Sequence, residues 1–307
     1  MKKFIQNKVA ESRLALPVTI AYASGVWLLS GLIQGQWWLQ GVLYALAVFL
    51  MFELNNINAL IRIYSRMVSC AFLALLCMPC FLFSSISGAV MMVAVVASMM
   101  LLFTTYQDEE AAKASYYSFV FVSIASMAFV HILFYLPMLW LMMAYQLKSF
   151  SLRTFGASIL GLLTPYWFYL CWLVWQKDFT PLVSHFMALG SFAKPFDFSL
   201  LTVSQLVTLA AVVLLAIIGI IHYIRQHHDD KIRIRLLYGF FIWMNLLTML
   251  FLALQPQHYD FLIRILVINT APLLAHFVTL THTKLTNIAF FVIVAIILIV
   301  TGFNLWM

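Results

Sequence analysis

Along most of this chain, polar positions occur only as brief breaks between long apolar runs. A helix needs about 17–25 such residues to cross a bilayer core. Taken in order, the runs predict spans near 14–33, 38–52, 67–83 and 89–105, two within 116–146, one at 156–175, and four at 202–224, 236–254, 262–280 and 285–305. No stretch shows the short polar–apolar alternation of a transmembrane β-barrel. The predicted fold class is therefore all-α, a polytopic transmembrane helix bundle of about 11 spans. It forms a single integral membrane domain over 1–307, with no internal repeat and no soluble domain.

Three stretches refine that pattern. Tyr116–Gln146 is mostly apolar, but one straight helix of that length would reach about 46 Å, more than the bilayer core. Two short helices meeting near His131 are expected instead, with Pro137 relieving the second. Residues 53–66, read as a helix, put Asn55, Asn58, Arg62 and Ser65 on one face and Leu54, Ile57, Ile61 and Tyr64 on the other. The segment is either an amphipathic interfacial helix on the inner side or a continuation of the second span that places Glu53, Asn55 and Asn56 in a polar pocket with Arg62. In the connection after the central Gly156–Trp175 stretch, Thr180-Pro181 reads as an N-cap followed by a first-turn proline, and Gly190 reads as a stop. That predicts an outer surface helix at about 180–190.

Composition agrees: hydrophobic residues make up 65% of the chain and charged residues 9%. The net charge of +7 lies in short loops, so it bears on orientation and not on nucleic acid. With the N-terminus inside and eleven alternating spans, the inner loops hold Lys2, Lys3, Lys8, Arg13, Arg62, Arg66, Lys113, Lys148, Arg153, Arg225, Lys231, Arg233, Arg235 and Lys284. Only Lys177, Lys194 and Arg264 are left outside, and the C-terminus ends outside. The first apolar run lacks a small-residue cleavage site and is expected to stay as a span. Cys77-Met-Pro-Cys80 has redox spacing, but it lies mid-span beside Pro79, where a thiolate is disfavoured.

On this topology the outer loops collect His131, Lys177, Asp178, His185, Lys194, Asp197, His258, Asp260 and Arg264. Arg264 falls in the first turn of an apolar span. It would either hold a lipid phosphate bidentately, pair with Asp260 one turn earlier, or snorkel to the headgroups. His131, His258 and Asp260 are the candidate catalytic groups for proton transfer around a bound substrate. Arg264, Glu53, Asn55 and Arg62 are the candidate substrate-binding groups. Asp178 and Asp197 carry weaker catalytic readings against an ordinary loop role. His227-His228-Asp229-Asp230 has metal-like composition, but adjacent residues do not converge on one point of a helix, so no metal is expected. His276 is expected to be a buried hydrogen-bonding residue. No nucleotide loop, zinc or calcium motif is present, and no cofactor is expected.

Gly161-Leu-Leu-Thr-Pro-Tyr-Trp-Phe168, the Asn/Arg-rich segment after the second span, and Asn269-Thr-Ala-Pro272-Leu-Leu-Ala-His-Phe277 carry a resemblance. Over essentially its whole length the chain resembles an uncharacterised family of multi-span inner-membrane proteins of Gram-negative bacteria. More distantly, Ala125-Ser-Met-Ala-Phe-Val-His131 with Leu133–Leu141 is similar to the exopolysaccharide polymerase and polyprenyl-sugar glycosyltransferase type of membrane protein. Such enzymes place an acidic residue in the first outer loop, where Gln34-Gly-Gln-Trp37 has none. The resemblance implies a bacterial inner-membrane location. It also implies membrane lipids, a polyprenyl-phosphate-linked substrate and other membrane proteins as partners.

Three functions follow as expectations. The first is handling of a lipid-linked envelope glycan or lipid precursor at the outer face, in the manner of a glycosyltransferase or polymerase. The second is a secondary transporter or flippase using intramembrane polar groups such as Glu53 and His276. The third is a non-catalytic scaffold subunit of an envelope assembly.

Overall fold

The computed structural model describes residues 4–307, so the expected inner-loop residues Lys2 and Lys3 lie outside the described residues. Among the described residues there are thirteen α-helices and no strands. They are α1 (Ile5–Glu11), α2 (Ala15–Leu29), α3 (Trp38–Asn58), α4 (Met67–Cys77), α5 (Ile86–Phe103), α6 (Ala112–Ala128), α7 (Leu136–Met142), α8 (Leu152–Gln176), α9 (Thr180–Met187), α10 (Val203–Gln226), α11 (Ile232–Leu254), α12 (Tyr259–Leu280) and α13 (Lys284–Trp306). Among the described residues eight helical stretches are long and apolar enough to cross a membrane. The count is nine if α1 and α2, which meet at 90°, are taken together.

The chain divides into two compact units: residues up to Ile86 together with Pro195–Met307, and Ser87–Lys194. The first is built around α12. Every residue from Leu262 to Leu280 is buried, whereas α13 buries only Phe290, Ile293, Ile297, Val300, Thr301 and Asn304. The helices packed on α12 are α4, α10, α11 and α1. Close approach of α10 depends on Gly219, where an added Cβ would meet the Leu273 Cβ at 3.0 Å. Each end of α12 is closed by a neighbour. Gln6 of α1 donates to the Val278 carbonyl (2.7 Å) and Asn7 donates to the Thr281 carbonyl (2.9 Å), satisfying groups a helix C-terminus leaves open.

Pro79 breaks the span that begins with α4. The chain continues as a 3₁₀ turn, Cys80–Leu82, because proline has no N–H to continue the ladder. Carbonyls around such a break need other donors inside an apolar environment. Asn304 of α13 donates to the Met78 carbonyl at 2.7 Å and reaches Thr208 at 2.7 Å, and Arg264 donates to the Leu82 carbonyl at 2.7 Å.

The second unit holds α6 against α8 along most of their lengths. Gly161 allows this: a Cβ there would stand 2.3 Å from the Tyr116 carbonyl oxygen. The long 116–146 run is broken as expected. It ends α6 at Ala128, turns at Phe129 and resumes as a 3₁₀ segment through His131 before α7. Helix α8 starts with a capping box between Ser151 and Thr154.

Two local expectations are corrected. Residues 53–66 do not form one helix. Helix α3 runs to Asn58, Ala59 takes a left-handed conformation (φ 48°), and the chain to Arg66 is irregular. A helix forms at the expected residues, α9, and ends in a 3₁₀ turn at Gly190, but Thr180 is its first helical residue and not its cap. The exposed Asp178 carboxylate accepts from the Thr180 N–H at 2.9 Å instead, and hydrogen bonding from Thr180 holds its pKa below the usual carboxylate value. Asp197 caps the next short turn at Ser199 in the same way.

Candidate functional site

Buried polar chemistry in the first unit gathers at the two ends of α12. At its Tyr259 end the guanidinium of Arg264 is 1% exposed. Nη1 donates to the Asp260 carbonyl at 2.5 Å, Nη2 to the Leu82 carbonyl at 2.7 Å and Nε to the Tyr44 hydroxyl at 3.4 Å. All three acceptors are neutral. The Asp260 carboxylate points away, accepting from Gln205 at 3.3 Å. Hydrogen bonds are thus supplied, but among the described residues no carboxylate forms an ion pair with this cation. A buried cation of this kind costs about 2.5–3.5 kcal/mol at a span centre even on insertion scales.

Tyr44 links Arg264 to an aromatic cluster. Its ring meets Trp27 edge-on at 5.1 Å and Phe83 at 5.4 Å, while Trp27 and Phe83 stack at 4.0 Å. Tyr44 and Trp27 also line an apolar groove of about 390 Å³, together with Ile20, Leu32 and Val48 of α2, α3 and the turn between them. The apolar groove is therefore lined by a phenol whose hydroxyl accepts from the buried guanidinium.

At the Leu280 end, His276 uses both ring nitrogens. Nε2 lies 2.9 Å from the Asp230 carboxylate, with both side chains at most 2% exposed, and Nδ1 lies 3.4 Å from His222 Nε2. Tyr223 and Tyr238 pack edge-on to the His276 ring at 4.9 and 5.1 Å. Just beyond, Arg62 pairs with Asp229 at 3.6 Å and Arg233 donates to Asn58 at 2.9 Å.

The sequence candidates divide accordingly. His258 and Asp260 sit at the same end of α12 as Arg264, with His258 beside Gln257 at 3.2 Å. His131 belongs to the second unit, where Phe129, Phe134 and Phe192 surround its ring at 5.3, 6.0 and 6.1 Å. Asn55 donates to the Ser65 carbonyl at 3.2 Å, folding the chain back after Ala59. Arg62 turns to Asp229, and Glu53 is half-buried on α3. In the second unit His185 lies 3.1 Å from the Tyr166 hydroxyl, which is 2.7 Å from Ser126; partial burial holds the His185 pKa below the usual histidine value. His276 is buried and hydrogen-bonded as expected. Sequence reasoning did not pair it with His222, which lies inside the predicted 202–224 span, or with Asp230, which it read only as part of a metal-like run.

Among the described residues no three His, Cys, Asp or Glu side chains converge on a point that would hold a metal ion. Fold and sites together define an α-helical protein with the make-up of an integral membrane protein, its ionisable groups buried around one central helix. No protein-family model, curated protein or solved structure matches the chain.

Proposed function

We propose that this protein binds an anionic, lipid-linked precursor of an envelope glycan or lipid, as a glycosyltransferase- or polymerase-like protein of a bacterial inner membrane. The reading places about eleven crossings in that membrane, with the N-terminus in the cytoplasm and Arg264 toward the outer face. It is carried by one observation: among the described residues the Arg264 guanidinium has neutral hydrogen-bond acceptors but no carboxylate partner, and it touches Tyr44, which lines an apolar groove. A phosphate headgroup would supply the missing charge, and a polyprenyl chain would suit the groove. His258 and Asp260, at the same end of α12, are the groups from which proton transfer would come; the reading rests on first-unit residues alone. The test is mass spectrometry of lipids retained after gentle purification, comparing wild type with Arg264→Gln, which removes the charge but keeps an amide donor. A polyprenyl-phosphate species bound by wild type and lost in the variant supports the reading. The same bulk phospholipids in both refute it.

A second reading, a proton-linked transporter or flippase, is favoured by the buried Asp230–His276–His222 chain. It predicts substrate movement that stops when the proton gradient is collapsed.

A further inference from the structure

The polar cluster at the Leu280 end of α12 stands apart from Arg264: twelve helical residues separate Arg264 from His276, about 18 Å along the axis. Its geometry is linear. A carboxylate accepts from only one kind of atom on an imidazole, so Nε2 of His276 carries the proton given to Asp230 at 2.9 Å. In the neutral ring Nδ1 is then the acceptor, and His222 Nε2 must be the donor across 3.4 Å. The hydrogen bonds therefore run in one direction, from half-buried His222 through His276 to Asp230, where the chain leaves α10 for its polar connection. A metal ion would need the three groups to face a common point, but His276 sits between the other two.

The surroundings restrict which groups compete for the proton. Tyr223 of α10 and Tyr238 of α11 flank the His276 ring, and the buried Tyr223 hydroxyl has no hydrogen-bond partner among the described residues. Arg235, in the first turn of α11, is the cation within electrostatic reach of Tyr223. From α1 the side chains placed at this end are the neutral amides Gln6 and Asn7.

We propose that His222, His276 and Asp230 form a proton-transfer site that takes a proton from water at His222 and delivers one to Asp230. In one passage a proton adds to Nδ1 of His222. The proton on His222 Nε2 moves to Nδ1 of His276, and the proton on His276 Nε2 moves to Oδ2 of Asp230. One proton enters and one is held by the carboxylate for release to the adjoining connection. Both imidazoles are left as the opposite tautomer, and the return of one proton from Asp230 along the same two hydrogen bonds restores the first.

The test is nitrogen NMR of the full-length protein, labelled at histidine and held in lipid nanodiscs, from pH 4 to 8. Signals are assigned by difference with His222→Gln and His276→Gln. The expected result is that both rings change in one shared transition in wild type, and that Asp230→Asn moves the His222 midpoint by about one pH unit or more. The proposal is overturned if His222 titrates alone, with the same midpoint in wild type, Asp230→Asn and His276→Gln. Should His276→Gln fail to fold, the comparison of wild type with Asp230→Asn decides by itself.

Discussion

Substituting alanine at Gly161 probes the closest helix–helix approach in the second unit. The added Cβ would sit 2.3 Å from the Tyr116 carbonyl oxygen and 3.2 Å from the Phe119 Cβ. The first obstacle is backbone on α6, so it cannot rotate aside as a flexible side chain would. Restoring an ordinary contact requires the two helices to part by about 1 Å, and overpacking of this sort costs about 1–3 kcal/mol. Gly156, on the same helix, is the internal control, because a Cβ there meets nothing within 4 Å. Alanine at 156 is expected to be neutral, or to stabilise by up to about 1 kcal/mol through helix propensity. The assay is reversible unfolding in mixed detergent micelles, followed by tryptophan fluorescence. If Gly161→Ala proves as stable as Gly156→Ala, the α6–α8 packing described above is wrong.

The break at Pro79 gives a second prediction. Asn304→Leu removes the donor to the Met78 carbonyl and leaves that carbonyl buried, so stability should fall by about 1–3 kcal/mol; an unchanged unfolding midpoint would argue against the contact. A third concerns pH. His185 binds its proton less readily when folded than the ordinary histidine value of 6.5, so the folded state holds fewer protons than the unfolded one. Its contribution is therefore present above the unfolded value and is lost as pH falls from there through the folded value. Protection of α9 amides, taken against the intrinsic exchange rate at each pH, should fall over that range in wild type but not in His185→Gln, and an equal fall in both would refute the assignment.

The long apolar helices were legible from residues alone, though not their number or the short α1. A segment that is apolar all round has no stable place in water, and its backbone polar groups must be satisfied within the segment, so run length marks the helices. The break near His131 followed from length, because 31 residues exceed a bilayer core as one straight helix. Where the reading failed, a single backbone conformation intervened: left-handed Ala59 ends α3 inside a sequence that keeps helical periodicity to Arg66.

The functional groups divide on the same line. Arg264 and His276 announced themselves in sequence, because an ionisable residue within an apolar run is costly and so informative. The pairings they make did not. The Leu82 carbonyl lies 182 residues from Arg264 and Tyr44 lies 220 away; Asp230 and His222 lie 46 and 54 residues from His276. Periodicity assigns a residue to a face of its own helix and carries no information about which helix lies opposite. The sequence by itself determined the helices and the apolar environment they require. Tertiary packing alone decided that α12 stands at the centre of its unit, and that its buried cation meets neutral acceptors while its buried histidine meets a carboxylate, because those pairings depend on which neighbours close on each end of one helix.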